Sequence, residues 1–170
     1  MNLGSLHSAS AGDLVARNTY EVLQETLENA QELAFDNAYY DSDLGYVTLK
    51  DIQFKDISDV PIWVKGSPWP WYKESGGGKV FMDLVLEIDS ANLLRGGDMV
   101  TKGMSVVVMT DGNLCKDEAE AVVSDQQKPT EEGQRYISEV HYEIEVSKSA
   151  KSYQIIVSFD DGTYVMDYQR

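Results

Sequence analysis

A chain of 170 residues, 42% of them hydrophobic, is long enough to bury one core and short for several domains. Its formal net charge of -15 opposes phosphate backbones, which call for clustered Lys and Arg, so no nucleic-acid partner is expected and basic protein surfaces stay open. One cysteine, Cys115, excludes an intramolecular disulfide framework and a multi-cysteine zinc site, and two histidines, His7 and His141, offer little for metal chemistry.

No run approaches the ~20 apolar residues that span a bilayer, so no membrane insertion is expected. The opening residues lack a basic region and an apolar stretch, so no signal peptide is visible. Cytoplasmic location is the default, and a trimmed exported protein would read the same. Residues 1–10 read as a flexible N-terminus and 11–170 as one α+β domain.

In chain order, Ser10 to Asp13 resembles a capping box and predicts a helix start near residue 11. Ala16, Tyr20, Leu23, Leu27, Ala30 and Ala34 then share one helical face, with Glu21, Glu25, Glu28 and Glu32 opposite. The helix is expected to end near Asp36–Asn37. Its glutamate face is either solvated or a docking surface for a basic partner. Asp41 and Asp43 form part of a D-x-D-x-G fragment, but the twelfth position of a calcium loop would be Ile52, so turn chemistry explains them better.

Residues 46–57 predict a strand with a fault, since Val47 and Leu49 share one parity and Ile52 and Phe54 the other. A bulge near Lys50–Asp51 repairs the facing. The next stretch holds Trp63, Trp69, Trp71 and Tyr72, braced by Pro61, Pro68 and Pro70 and flanked by Lys65 and Lys73. It belongs to the only non-acidic part of the chain: residues 46–79 carry +1, residues 1–45 carry -7. Gly76 to Lys79 is not a phosphate loop, because no Gly-Lys-Ser/Thr motif opens a helix there.

From Val80 to Ile88 alternate residues are apolar, with Asp83 and Glu87 on the other side. Residues 105–109 read as a strand buried on both faces, and residues 114–127 fit a short helix or an edge strand. Asp161-Gly162 predicts a hairpin with Phe159 opposite Tyr164 and Val157 opposite Met166. A turn at Ser149–Ala150 would place Val146 opposite Tyr153, giving a three-strand meander with one apolar face.

These elements predict an α+β fold, an N-terminal amphipathic helix packed on a curved, mostly antiparallel sheet. The alternative is a β-sandwich with an appended helix. No catalytic residue, metal ligand or cofactor is singled out. His141 alternates outward and nothing beside Cys115 activates it.

The expected function is therefore a non-catalytic interaction or assembly role. A protein partner, or another copy in a homo-oligomer, would be bound through Trp63, Trp69, Trp71, Tyr72, Lys65 and Lys73. One alternative is a small-ligand-binding or enzyme-like cone with a pocket between helix and sheet, lined by Tyr20, Tyr142, Tyr153 and Tyr164. Another is a carbohydrate-binding module stacking sugars on Trp69, Trp71 or Tyr72. The plain reading is that these rings close one end of the sheet as extra core.

Overall fold

The computed structural model describes residues 27–95, 103–111, 113–114, 120–123, 128–130 and 132–170. Alternating apolar residues dominate these segments, and such residues bury one side of a strand and expose the other. Two sheets satisfy that pattern by closing face to face. The first strands are β1 (Gln31–Glu32), β2 (Ala38–Asp41), β3 (Gly45–Lys55), β4 (Ile57–Ile62), β5 (Trp71–Glu74) and β6 (Lys79–Ser90). There follow β7 (Ser105–Thr110), β8 (Asn113–Leu114), β9 (Glu120–Val123), β10 (Lys128–Pro129), β11 (Tyr136–Ser147), β12 (Ser152–Phe159) and β13 (Gly162–Gln169).

One sheet runs β1-β13-β12-β7-β8, and the other runs β10-β11-β6-β3-β2 with β9 also on β11. β4 and β5 form a separate two-stranded ribbon. The architecture is a mostly antiparallel β-sandwich, which corrects the α+β expectation of a helix on a curved sheet.

The predicted helix fails where it can be judged. Only residues 27–29 are helical among those described, and residues 11–26, with Glu21 and Glu25, lie outside them. Glu28 is exposed in that turn, and Glu32 is exposed in a strand, not on a helix face. Gln31 and Glu32 run parallel to Tyr164 and Val165, and the Leu33 amide donates to the Val165 carbonyl at 2.8 Å. The expected stripe at this end rested on Ala30 and Ala34, which have little surface to bury. Leu33, off that stripe, is the residue that enters the core.

The inner face of the six-stranded sheet is set by β6. Leu84 lies between Tyr142 and Ile52, and Leu86 between Val140 and Leu49. The bulge in β3 falls between Leu49 and Asp51, as its parity requires. Gly45, where β3 starts, sits at φ 103 with the Asp89 backbone against it, leaving no room for a Cβ. Asp41 accepts from the Asp43 and Leu44 amides at 2.9 and 3.2 Å, so this acid shapes the turn before Gly45.

The meander is corrected as well. β11 pairs with β6 and β9, while β12 pairs with β13 and β7, so the chain crosses between sheets at residues 148–151. The Tyr153 hydroxyl secures the crossing by donating to the Ser147 and Ala150 carbonyls, each at 3.2 Å. Alternation fixes which way a side chain faces. Two consecutive strands can both face inward as neighbours or from opposite walls.

The last hairpin is displaced by two residues from its predicted register. Phe159 lies opposite Gly162 and Val157 opposite Tyr164. The turn residues are Asp160 and Asp161, neither with the positive φ that an Asp-Gly type I′ turn demands. Both are bonded: Asp160 accepts the Ser42 amide, and Tyr164 donates to Asp161 at 3.0 Å. A two-residue displacement leaves every side chain on its predicted face.

Two further expectations resolve. The stretch at 105–109 is buried fully only at Val108, because β7 lies next to the edge of its sheet. Residues 120–123 are a strand, not a helix. Tyr39 spans the layers, stacking on Phe159 at 5.2 Å and meeting Tyr164 at 4.3 Å. Beside it the interior void is only about 10 Å³. That is room for about one water at this place in the core. Tyr142, Tyr153 and Tyr164 are core residues, and Tyr20 lies outside the described residues.

Candidate functional site

The β4–β5 ribbon follows from its prolines. Pro61 lacks a donor and sits on a two-stranded element where no further strand needs one. Pro68 and Pro70 fix φ on either side of Trp69. The Ser67 amide donates to Val64 at 3.1 Å, closing a turn through Lys65 and Gly66, where Gly66 takes a φ of 88. The Ser67 hydroxyl donates to the Trp69 carbonyl at 3.0 Å. The tip is therefore ordered by its own bonds.

Its rings face solvent. Trp69 is 75% exposed, Trp63 67%, Trp71 65% and Tyr72 48%, with Ile62 and Val64 also exposed. The plain expectation that they complete the core fails on these values. Trp71 sits opposite Ile62 and Tyr72 opposite Pro61, so successive pairs put apolar groups on both faces of the ribbon. Lys65 is exposed at the tip. Lys73, in the other strand, pairs with Glu145 of β11 at 3.0 Å.

The ribbon base lies on the outer face of the six-stranded sheet, over a charged cluster that sequence reasoning missed. Asp83 and Glu143 are direct cross-strand partners, 1% and 3% exposed. Two carboxylates so placed repel. Lys55 sits between them, its Nζ 3.1 Å from Asp83, 2.5 Å from Glu143 and 2.6 Å from Asp59. Burial opposes its charge, but hydrogen bonds to Asp59, Glu143 and Asp83 outweigh burial and hold its pKa above the ordinary lysine value.

Ser58 donates to Glu143 at 2.5 Å and the Asp59 amide to the same carboxylate at 2.8 Å. His141 Nδ1 lies 2.7 Å from Asp83. The cluster thus ties β4 of the ribbon to β6 and β11 of the sheet. A signal for it was present: Glu139, His141, Glu143 and Glu145 alternate on one side of β11, too polar for a core and too dense for an idle face.

Donor atoms of Asp59, Asp83 and His141 lie within 4.8 Å of one another, a spacing that suits a cation. The Lys55 ammonium is bonded to both carboxylates and meets that demand. Cys115 lies outside the described residues, and His141 is engaged with Asp83.

No family model matches the chain, and no curated protein matches it. It is similar to the crystal structure of an uncharacterized β-sandwich protein from Clostridium difficile 630, with a TM-score of 0.54 and 14% identity. The match covers 83% of this chain and 95% of that one. The likeness is one of fold. Among the described residues no helix is long and apolar enough to cross a membrane.

Proposed function

We propose that this chain is a non-catalytic interaction module that holds a protein partner with the β4–β5 ribbon. The observation behind this reading is the exposure of three indoles on a tip ordered by its own prolines and hydrogen bonds. Trp and Tyr dominate protein contacts, and a loop fixed in advance loses less entropy on docking. The charged cluster beneath supports the same reading. Its carboxylates are engaged by Lys55, Ser58, His141 and Lys73, so it positions the ribbon.

The test is a Trp69→Ala/Trp71→Ala variant. It should keep its melting temperature and lose the partner that the wild type retains on an affinity column. Partner binding should also move wild-type tryptophan emission to the blue as the indoles leave water. Equal retention by the variant removes the ribbon from the contact, and an unfolded variant returns the rings to the core. The exposure of Trp69 between two prolines also favours a second reading, a platform for sugar rings. Oligosaccharide titration followed by the same emission separates the two.

A further inference from the structure

The ribbon has a complement elsewhere on the molecule, and we propose that its partner is a second copy of this chain, with the indoles seated in a groove beside β13. This rests on the ribbon being a contact surface, and it names what the surface meets. The groove lies between residues 30–35 and 165–168 and encloses about 630 Å³. That is within the roughly 300–1,000 Å³ of ordinary binding clefts. Its walls include Leu33, Phe35 and Tyr168, with Phe35 exposed. Its charged groups are Glu32 and Asp167, both acids and both exposed.

The ribbon presents the opposite set. Residues 60–73 contain Lys65 and Lys73 and no acid, a charge of +2, and the whole chain is -15, so the remainder carries -17. Lys73 is held at Glu145, which leaves Lys65 at the tip as the cation offered outward. The ribbon's tip carries a lysine and no acid, its own acids Asp59 and Glu74 lying at the base, and it meets a half-apolar groove with two acids and no base. Because β1 is two residues long, β13 beyond Val165 has no strand on that side among the described residues. Unpaired strand edges attract extended partners.

The two surfaces belong to opposite layers. The ribbon base is tied to the outer face of the six-stranded sheet, and the groove lies at the β1–β13 edge of the five-stranded one. The contact joins different patches on successive copies. Such head-to-tail contacts build rings or filaments and not a closed two-fold dimer.

The experiment is sedimentation velocity over a concentration series at 0.15 M salt, where repulsion between the acidic bodies is screened beyond about 8 Å. Wild type is compared with Lys65→Glu, with Glu32→Lys/Asp167→Lys, and with an equimolar mixture of the two variants. Wild type should assemble as concentration rises. Each variant alone sets like charges against each other and should weaken assembly by about tenfold or more. The mixture should recover it, because each reversed ribbon then finds a reversed groove. Recovery also shows that both variants are folded.

A wild type that stays monomeric throughout overturns the proposal and leaves the ribbon to the affinity experiment above. Assembly that is lost in Trp69→Ala/Trp71→Ala but indifferent to every charge reversal overturns the groove and keeps the ribbon.

Discussion

The ribbon tip and the sheet face beneath its base invert each other's solvation. At the tip, indoles stand in water, while beneath the base two carboxylates are buried around a half-buried ammonium. Proteins ordinarily arrange these the other way round. The difference shows how a small ribbon can be held without using its apolar groups. Polar bonds at the base fix it to the sheet, so its rings need not be spent on its own folding.

The comparison breaks most sharply at Lys55. Lys55→Met leaves Asp83 and Glu143 facing each other under the ribbon, and removing one partner of a buried charge group costs about 3–5 kcal/mol. Urea unfolding should report that loss, and a change under about 1 kcal/mol would mean that water reaches both carboxylates. In the core, Ile155→Ala should cost about 2–5 kcal/mol by the same measurement. It serves as the calibration for what true burial contributes here.

Glu143→Gln should have a smaller effect, about 1–2 kcal/mol. It weakens the bonds to Ser58 and Asp59 but relieves the repulsion with Asp83. Proteolysis within residues 63–70 should rise if this carboxylate holds the ribbon down. At the tip, Trp69→Ala or Trp71→Ala should stay within about 0.5 kcal/mol of wild type, because the rings are exposed.

The pH dependence sharpens the picture further. Lys55 has a folded pKa raised above its ordinary 10.5, so its stabilisation is complete below that value and declines only as pH rises through the raised one. The stability gap between wild type and Lys55→Met should hold level from neutrality to about pH 10 and narrow above it. A gap that closed near pH 8 would contradict the assignment of Lys55 as a charged bridge.

Facing was legible in the sequence and pairing was not. Val47, Leu49, Ile52 and Phe54 implied the bulge, and Val80 to Ile88 gave the inward face of β6. Whether Val146 meets Tyr153 across a hairpin or across the core depends on energies distant in sequence, and a two-fold alternation is identical in both. Asp161-Gly162 announced a turn but not its centre, because Asp160 is held by Ser42 from another hairpin. The segment before residue 37 misled because alanines fit a helical stripe without having to be buried. At the site, the aromatic tip was evident from composition. The cluster needed the register that sets Asp83 against Glu143.

The bulge at Lys50 reaches further than local repair. One extra residue in the first half of β3 reverses the parity of everything after it. In an unbulged strand of the same residues Phe54 would turn outward and Lys55 would point into the apolar interior, far from the acids it neutralises. The position of a cation on one side of a wall is thus kept by a bulge that absorbs one residue upstream. A single deletion at Lys50 would remove the bulge and keep this facing, because Leu49, Asp51 and Ile52 already lie opposite Leu86, Val85 and Leu84 in turn.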